Sequence, residues 1–405
     1  MNRRDFLKSS VAFAAVIGGA VVWHSMKTSP PQKTTAQTSQ SSLPSGFSQI
    51  KHIIVIMEEN HTFDNYFGTY PGANGIAGAI PQPSTTSANA QLIEPFMINT
   101  ATIAQDLSHS WTSAHQAYDN GKMDGFVTAS GSSLSMGYFS PSLIQYYWKY
   151  ASQFVLLDNF YTSVMGPSLP NHLYLIAGQS GELTGDSNAG AINFTSSSVY
   201  DNTFHFKTIM DELDAGKISW KYYAGGHSSL NNWNPLPAFA SFQSDQTRML
   251  NLAPTQQFVT DVANHDLASV VWMMPATDQS SEHPPYDIST GEQDVVSLLN
   301  AIMASEYWNS TAVFLTWDDY GGWYDHVKPP QLDQFGYGFR VPCLIISPYA
   351  RQGVVDHTLG DFTSILKFIE TVHSLQPLTA RDASAGDLSE AFDFPQTPRH
   401  GLVLP

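Results

Sequence analysis

The chain has 405 residues, 42% hydrophobic and 12% aromatic, which excludes a disordered polymer and leaves room for a large buried core. With 35 acidic against 18 basic residues the net charge is -17, and no basic stripe offsets it, so a nucleic-acid partner is excluded. The single cysteine, Cys343, rules out an intramolecular disulfide and any multi-cysteine metal centre. An anionic substrate would need a locally positive site, which in so acidic a chain points to a metal ion.

In chain order, Met1-Asn2-Arg3-Arg4-Asp5-Phe6-Leu7-Lys8 precedes an apolar run from Val11 to Trp23. This resembles a twin-arginine export signal. The twin-arginine export machinery is therefore an expected partner, and the periplasm, the cell surface or the extracellular space the expected location. The apolar run is short for a stable membrane span. No clear Ala-x-Ala cleavage site follows it, which leaves membrane association through an uncleaved N-terminal anchor open. The expected division is residues 1–28 as signal or anchor, 29–48 as a flexible linker rich in Ser, Thr, Gln and Pro, and 49–405 as one catalytic domain.

No internal repeat is evident. Ile53-Ile54-Val55-Ile56-Met57 is a continuous apolar run of the kind a strand shows when both its faces are covered. Phe154–Leu157, Val270–Met274, Ala312–Trp317 and Cys343–Ile346 are similar. Helical spacing of i, i+3, i+4, i+7 appears at Phe206, Ile209, Met210 and Leu213, with Gly216 closing that helix. It recurs from Val295 to Ile302 and from Phe362 to Ile369. Strands alternating with helices predict an α/β fold, a mostly parallel central sheet with helices on both faces. Residues 70–105 and 225–265 lack clear periodicity and are expected to form lid insertions around a site.

The carboxyl ends of the strands carry the polar chemistry. Ile53–Met57 runs into Glu58-Glu59-Asn60, and Ala312–Trp317 runs into Asp318-Asp319-Tyr320-Gly321-Gly322. Val270–Met274 leads to Asp278 and His283, and Phe154–Leu157 leads to Asp158-Asn159. Open α/β sheets bind ligands outside the carboxyl ends of their strands. Each acidic pair alone reads as a turn or helix cap. Four together at one sheet edge point to a shared metal-centred site.

Glu58-Glu59-Asn60-His61-Thr62-Phe63-Asp64-Asn65-Tyr66-Phe67-Gly68 resembles the opening motif of the phosphoesterases that comprise bacterial and plant phospholipase C (the phosphatidylcholine-hydrolysing type) and acid phosphatase. These belong to the alkaline-phosphatase-like superfamily. The resemblance continues through Asp106–Trp111, Gly121–Phe126, Met165–Asn171, Ser281–Pro285 and Trp317–Val327, and spans roughly residues 50–375. It implies a metal-dependent phosphoric-ester hydrolase with an alkaline-phosphatase-like fold. Glu59 and Asn60 match the first pair of metal ligands, and Asp318 and Asp319 the second. Ser168 matches a nucleophile that also touches the metal. His109 and His283 match histidines that hold the phosphoryl oxygens or move protons, and His326 matches a further phosphate contact. Asp319-Tyr320-Gly321-Gly322 departs from the commoner Glu-Gly-Gly-Gly, and His172 stands where many members carry arginine. The chain also stops short of the long C-terminal extension of some bacterial phospholipases.

The chemistry agrees with that reading. A phosphoester repels a nucleophile unless positive charge meets its oxygens, and a divalent ion among three carboxylates supplies it. Hard oxygen donors suit Ca²⁺, Mg²⁺ or Mn²⁺ at least as well as Zn²⁺. Pro170 suits a helix first turn, which places Ser168 near a helix N-terminus that would also favour phosphate. A proton donated by His283 or His109 to the leaving group implies an acid-to-neutral activity optimum. The substrate is a small phosphoester or a phospholipid: a phospholipase C-like diester, or alternatively an acid-phosphatase monoester. Three rivals have less behind them. Gly178-Gln179-Ser180-Gly181-Glu182 lacks the closing glycine of a serine-esterase elbow, and Gly336-Tyr337-Gly338 lacks the third glycine of a dinucleotide loop. A non-catalytic surface protein on the same fold would be expected to lose Ser168 or an acidic pair, and all are present.

Overall fold

The computed structural model describes residues 46–186, 204–226 and 231–405. The export signal and nearly all of the linker lie outside the described residues. An eight-stranded sheet organises the domain. Its strands in chain order are β1 (His52–Glu58), β2 (Val155–Leu157), β3 (Trp220–Tyr223), β4 (Leu252–Ala253), β5 (Val270–Met273), β6 (Thr311–Trp317), β7 (Cys343–Ile346) and β8 (Val354–Asp356). In space they run β8-β2-β7-β6-β1-β5-β3-β4. All neighbours are parallel except β7, which is antiparallel to both β6 and β2.

The continuous apolar runs become the central strands because each must be buried on both faces. β6 is buried throughout, and β1 everywhere but its first residue. Helices supply the cover in two packed groups. One joins α1 (Ser168–Ala177) to α2 (Ile209–Gly216) and α4 (Phe362–His373). The other joins α3 (Ile288–Met303) to Gln145–Ala151 and Gln257–Ala263. The start of α2 is set by chemistry rather than periodicity. Thr208 and Asp211 form a capping box, which leaves Phe206 outside the helix.

Two expectations shift. The packed domain begins before residue 49, since Phe47 is buried and its ring lies 5.2 Å from Phe368 and 5.3 Å from Phe394. The segment 70–105 is no lid. Gln82 bonds to Met123 and Phe126, the Ile80 N–H donates to the Tyr324 hydroxyl, and no residue of the segment lines the cleft at the strand ends. Among the described residues no helix is long and apolar enough to cross a membrane.

Phe47→Ala should cost about 3–5 kcal/mol of stability in denaturant unfolding, the usual effect of emptying a buried aromatic site. A loss below about 1 kcal/mol would show that residues before His52 are only appended to the domain.

Candidate active site

The site begins with register. β1 pairs in parallel with β6 so that Glu58 faces Trp317, and the Asp318 N–H extends the ladder to the Glu58 carbonyl at 2.9 Å. The next residues of each chain segment, Glu59-Asn60 and Asp318-Asp319, therefore emerge side by side. Asn60 turns the chain with φ 64° and donates its N–H to Asp318 Oδ1 at 2.9 Å. The Asp319 N–H donates to that same oxygen at 2.7 Å, and the Gly321 N–H to Asp319 Oδ1 at 2.7 Å. Gly321 has φ 58°, and a Cβ there would lie 2.3 Å from the Asn60 carbonyl, so the close approach of the two turns requires glycine.

Ser168 is the first residue of α1, on a turn that Asn171 folds. The Asn171 side chain accepts from the Val164 N–H at 2.9 Å and donates to the carbonyls of Val164, Gly166 and Pro167 at 3.2–3.4 Å. The turn delivers Ser168 Oγ to 3.3 Å from Glu59 Oε2 and 3.2 Å from Asp319 Oδ2. His172, one helical turn later, brings Nε2 to 3.4 Å from Glu59 Oε1 and 3.6 Å from Asp318 Oδ2; the second separation is ion pairing rather than a hydrogen bond. The Trp233 indole N–H donates to Glu59 Oε1 at 2.8 Å. All five predicted metal residues are buried and converge here.

Electrostatics follow from that crowding. Burial raises the Glu59 and Asp319 carboxyls above their ordinary values, and neighbouring Asp318 adds to both shifts. Burial pushes Asp318 up as well, but His172 and the Asn60 N–H outweigh it and hold it low. Burial would lower His172, yet Asp318 and Glu59 raise it to about 9. Neither Oδ1 nor Nδ2 of the buried Asn60 has a hydrogen-bond partner, nor has Asp318 Oδ2. Polar atoms rarely stay buried and unpaired. Orphaned oxygen donors beside three carboxylates fit a divalent cation.

Glu59 and Ser168 of this cluster line a cleft of about 970 Å³. His109 and His283 form one wall, with ring centroids 5.7 Å apart. Each ring donates Nδ1–H to a carbonyl, Leu107 at 2.7 Å and Pro284 at 2.5 Å, so Nε2 is left as the exchangeable nitrogen of both. Residues 225–226 and 231–233 form the opposite rim, where a lid was expected. Beneath the wall, Glu282 anchors the segment carrying His283. Its carboxyl accepts from Tyr147 at 2.5 Å, Tyr66 at 2.7 Å and the Trp317 indole at 2.8 Å.

Three expectations are corrected. His326 does not reach the cleft. Its Nδ1 bonds Asp64 at 2.6 Å, inside a buried cluster where Arg340 binds Asp64 and Asp325. Asp158, at the end of β2, joins that neighbourhood by accepting from the Asn74 N–H at 2.7 Å. The reason is strand order: β7 separates β2 from β6, which displaces its end by two strand spacings, about 10 Å. The α1 N-terminus is taken in part. The Leu169 N–H donates to Asp186 at 2.8 Å and Pro170 has no N–H, so neither position offers a bond to phosphate. Ser180, the esterase candidate, is buried and donates to the Leu183 carbonyl at 2.8 Å. Sequence reasoning missed Trp233 and Asp186 and saw His172 only as a substitution. The i, i+4 spacing of Ser168 and His172 was the available signal.

Residues 50–376 match the Phosphoesterase family, and the chain belongs to it. It is a hydrolase acting on phosphoric ester bonds. It is 27% identical to "Phospholipase C A" of Mycobacterium tuberculosis over 88% of this chain and 79% of that protein. It is 26% identical to "Non-specific phospholipase C1" of Arabidopsis thaliana over 86% of this chain and 72% of that one. Among solved structures, a protein in the alkaline phosphatase superfamily from Vibrio parahaemolyticus aligns over 80% of this chain and 76% of its own, with a TM-score of 0.39 and 11% identity.

Glu282 yields a pH prediction. Burial pushes its carboxyl from 4.5 up to about 8 despite three donors. The folded chain thus keeps a proton that the unfolded chain releases, and stability falls as pH rises across that window, then levels above it. Glu282→Gln should remove this slope, so its stability relative to wild type rises between about pH 5 and about pH 8 in urea unfolding. A difference that is constant with pH would show that Glu282 is ionised in the fold.

Proposed function

We propose that the protein is a phospholipase C-like phosphodiesterase that works through a serine nucleophile, Ser168, and a divalent cation held by Glu59, Asn60, Ser168, Asp318 and Asp319. The observation that carries this reading is the buried Ser168 hydroxyl set 3.2–3.3 Å from two carboxylates in a cleft lined by His109 and His283. The relatives named phospholipase C favour the diester over the monoester.

A serine hydroxyl attacks poorly until its proton leaves. Asp319 Oδ2 and Glu59 Oε2 are the acceptors within reach. When bound, the divalent cation supplies positive charge at the phosphoryl oxygens and eases ionisation of the hydroxyl. Ser168 Oγ forms its bond to phosphorus as the ester P–O bond breaks. The Nε2–H of His283 or His109 gives the departing alkoxide its proton. Water then attacks the phosphorus, its oxygen staying there and one proton passing to the same Nε2, while the P–Oγ bond breaks and Oγ recovers its proton from the carboxylate.

Ser168→Ala should lower kcat by at least about a thousandfold while leaving the unfolding transition intact. The assay runs on p-nitrophenyl phosphorylcholine, p-nitrophenyl phosphate and phosphatidylcholine vesicles. Turnover of the monoester alone would favour the acid-phosphatase reading, and turnover of none, with any metal, would favour a binding protein. Near-wild-type rates in folded Ser168→Ala would overturn the nucleophile.

Export by the twin-arginine route belongs to the same proposal and rests on Arg3-Arg4 and the apolar run after it. A reporter fused behind residues 1–48 should leave the cytoplasm, and should stay there when both arginines become lysine. Equal export of the two would remove this route.

A further inference from the structure

We propose that His172 is itself a ligand of the divalent ion, so that this chain's site prefers Zn²⁺ and similar first-row metals to Ca²⁺ or Mg²⁺. The inference rests on the cation site proposed above and specifies its chemistry.

The case begins with helix geometry. His172 lies four residues after Ser168 in α1, so both side chains fall on one face of the helix and reach the same point. Its ring is fully buried, with Nε2 directed between Glu59 on the β1 turn and Asp318 on the β6 turn. The separations decide what the nitrogen is doing. A ring N–H in a good hydrogen bond sits about 2.7–3.2 Å from its acceptor. Nε2 is instead 3.4 Å from Glu59 Oε1 and 3.6 Å from Asp318 Oδ2. Donors bound about 2.1 Å from one ion lie about 3.0 Å apart in an octahedron and about 3.4 Å apart in a tetrahedron. Ser168 Oγ shows the same ligand-like spacing, 3.3 Å to Glu59 and 3.2 Å to Asp319. Asp318 Oδ2 and both polar atoms of the Asn60 side chain have no hydrogen-bond partner, which leaves them free to share the same ion.

The competing role is an imidazolium that neutralises the carboxylates without touching the metal. The Nδ1 side does not separate the two, because that atom is buried with no hydrogen-bond partner. Only Nε2 distinguishes them, and its spacing to two carboxylates from different strands is that of a co-ligand. The consequence concerns selectivity. Asp, Glu, Asn and Ser oxygens alone suit Ca²⁺ and Mg²⁺, whereas imidazole nitrogen suits Zn²⁺ and its neighbours and binds the hard ions weakly.

The test is zinc X-ray absorption on the full chain, combined with calorimetric titration of Zn²⁺ and Ca²⁺ into chelator-treated protein. Wild type should show imidazole scattering around bound zinc. His172→Gln should lose it, weakening Zn²⁺ by at least about tenfold while Ca²⁺ changes by less than about threefold. Should His172→Gln fail to fold, the His109→Gln/His283→Gln double variant must keep the imidazole scattering, since those rings line the cleft wall. An all-oxygen zinc shell in wild type, scattering that survives in His172→Gln, or scattering lost in the double variant would each overturn the assignment while sparing the cation site. Failure of wild type to bind either ion would overturn the cation site as well.

Discussion

The parallel pairing of β1 with β6 carries most of the architecture's consequences. Its register sets Glu58 against Trp317, so the chain leaves both strands at the same height and delivers Glu59, Asn60, Asp318 and Asp319 to one spot. Buried carboxylates repel one another and lose hydration, each effect costing free energy that the fold must recover elsewhere. Everything nearby reads as a response to that constraint. Trp233 and backbone N–H groups satisfy individual oxygens, His172 brings a nitrogen among them, and Gly321 allows the two turns to touch.

The second acidic cluster shows what the first lacks. Asp64 and Asp325 are also buried together, yet Arg340 donates to both, at 3.2 Å to Asp64 and 2.9 Å to Asp325, and directs Nη1 at the carbonyls of Asn74 and Asp158. In that cluster each carboxylate meets a guanidinium. At the cleft no lysine or arginine lines the wall among the described residues, and Asn60 Oδ1 and Asp318 Oδ2 have no hydrogen-bond partner. The two clusters draw on the same residue types. A built-in guanidinium makes one a structural brace, and its absence makes the other a site.

Much of this was legible in the sequence because the central strands are short unbroken apolar runs, and such runs have few alternatives to double-sided burial. The acidic pairs were legible because they follow those runs directly. The features that escaped reading depend on partners distant in the chain. Lys221 interrupts β3, and its partial burial makes sense only beside Asp261, 2.5 Å away. The direction of β7 cannot be read from Cys-Leu-Ile-Ile, which is equally apolar either way. Asp158 looks like a site residue until strand order carries it toward Arg340, and His326 until its bond to Asp64 holds it beside the same arginine. His172 looked like a peripheral replacement, since nothing local reveals that α1 points it between two strand ends.

The central claim is that these strand ends make Ser168 the atom that takes the phosphoryl group. The most direct measurement is peptide mass spectrometry after rapid acid quench of wild-type protein turning over a p-nitrophenyl ester. The account predicts one phosphoryl group, still carrying the second alcohol when the substrate is a diester, located on the peptide containing Ser168 and assigned to that residue by fragmentation. A phosphoryl group on His109, His283 or any other residue, or none at any quench time while product forms, would contradict it.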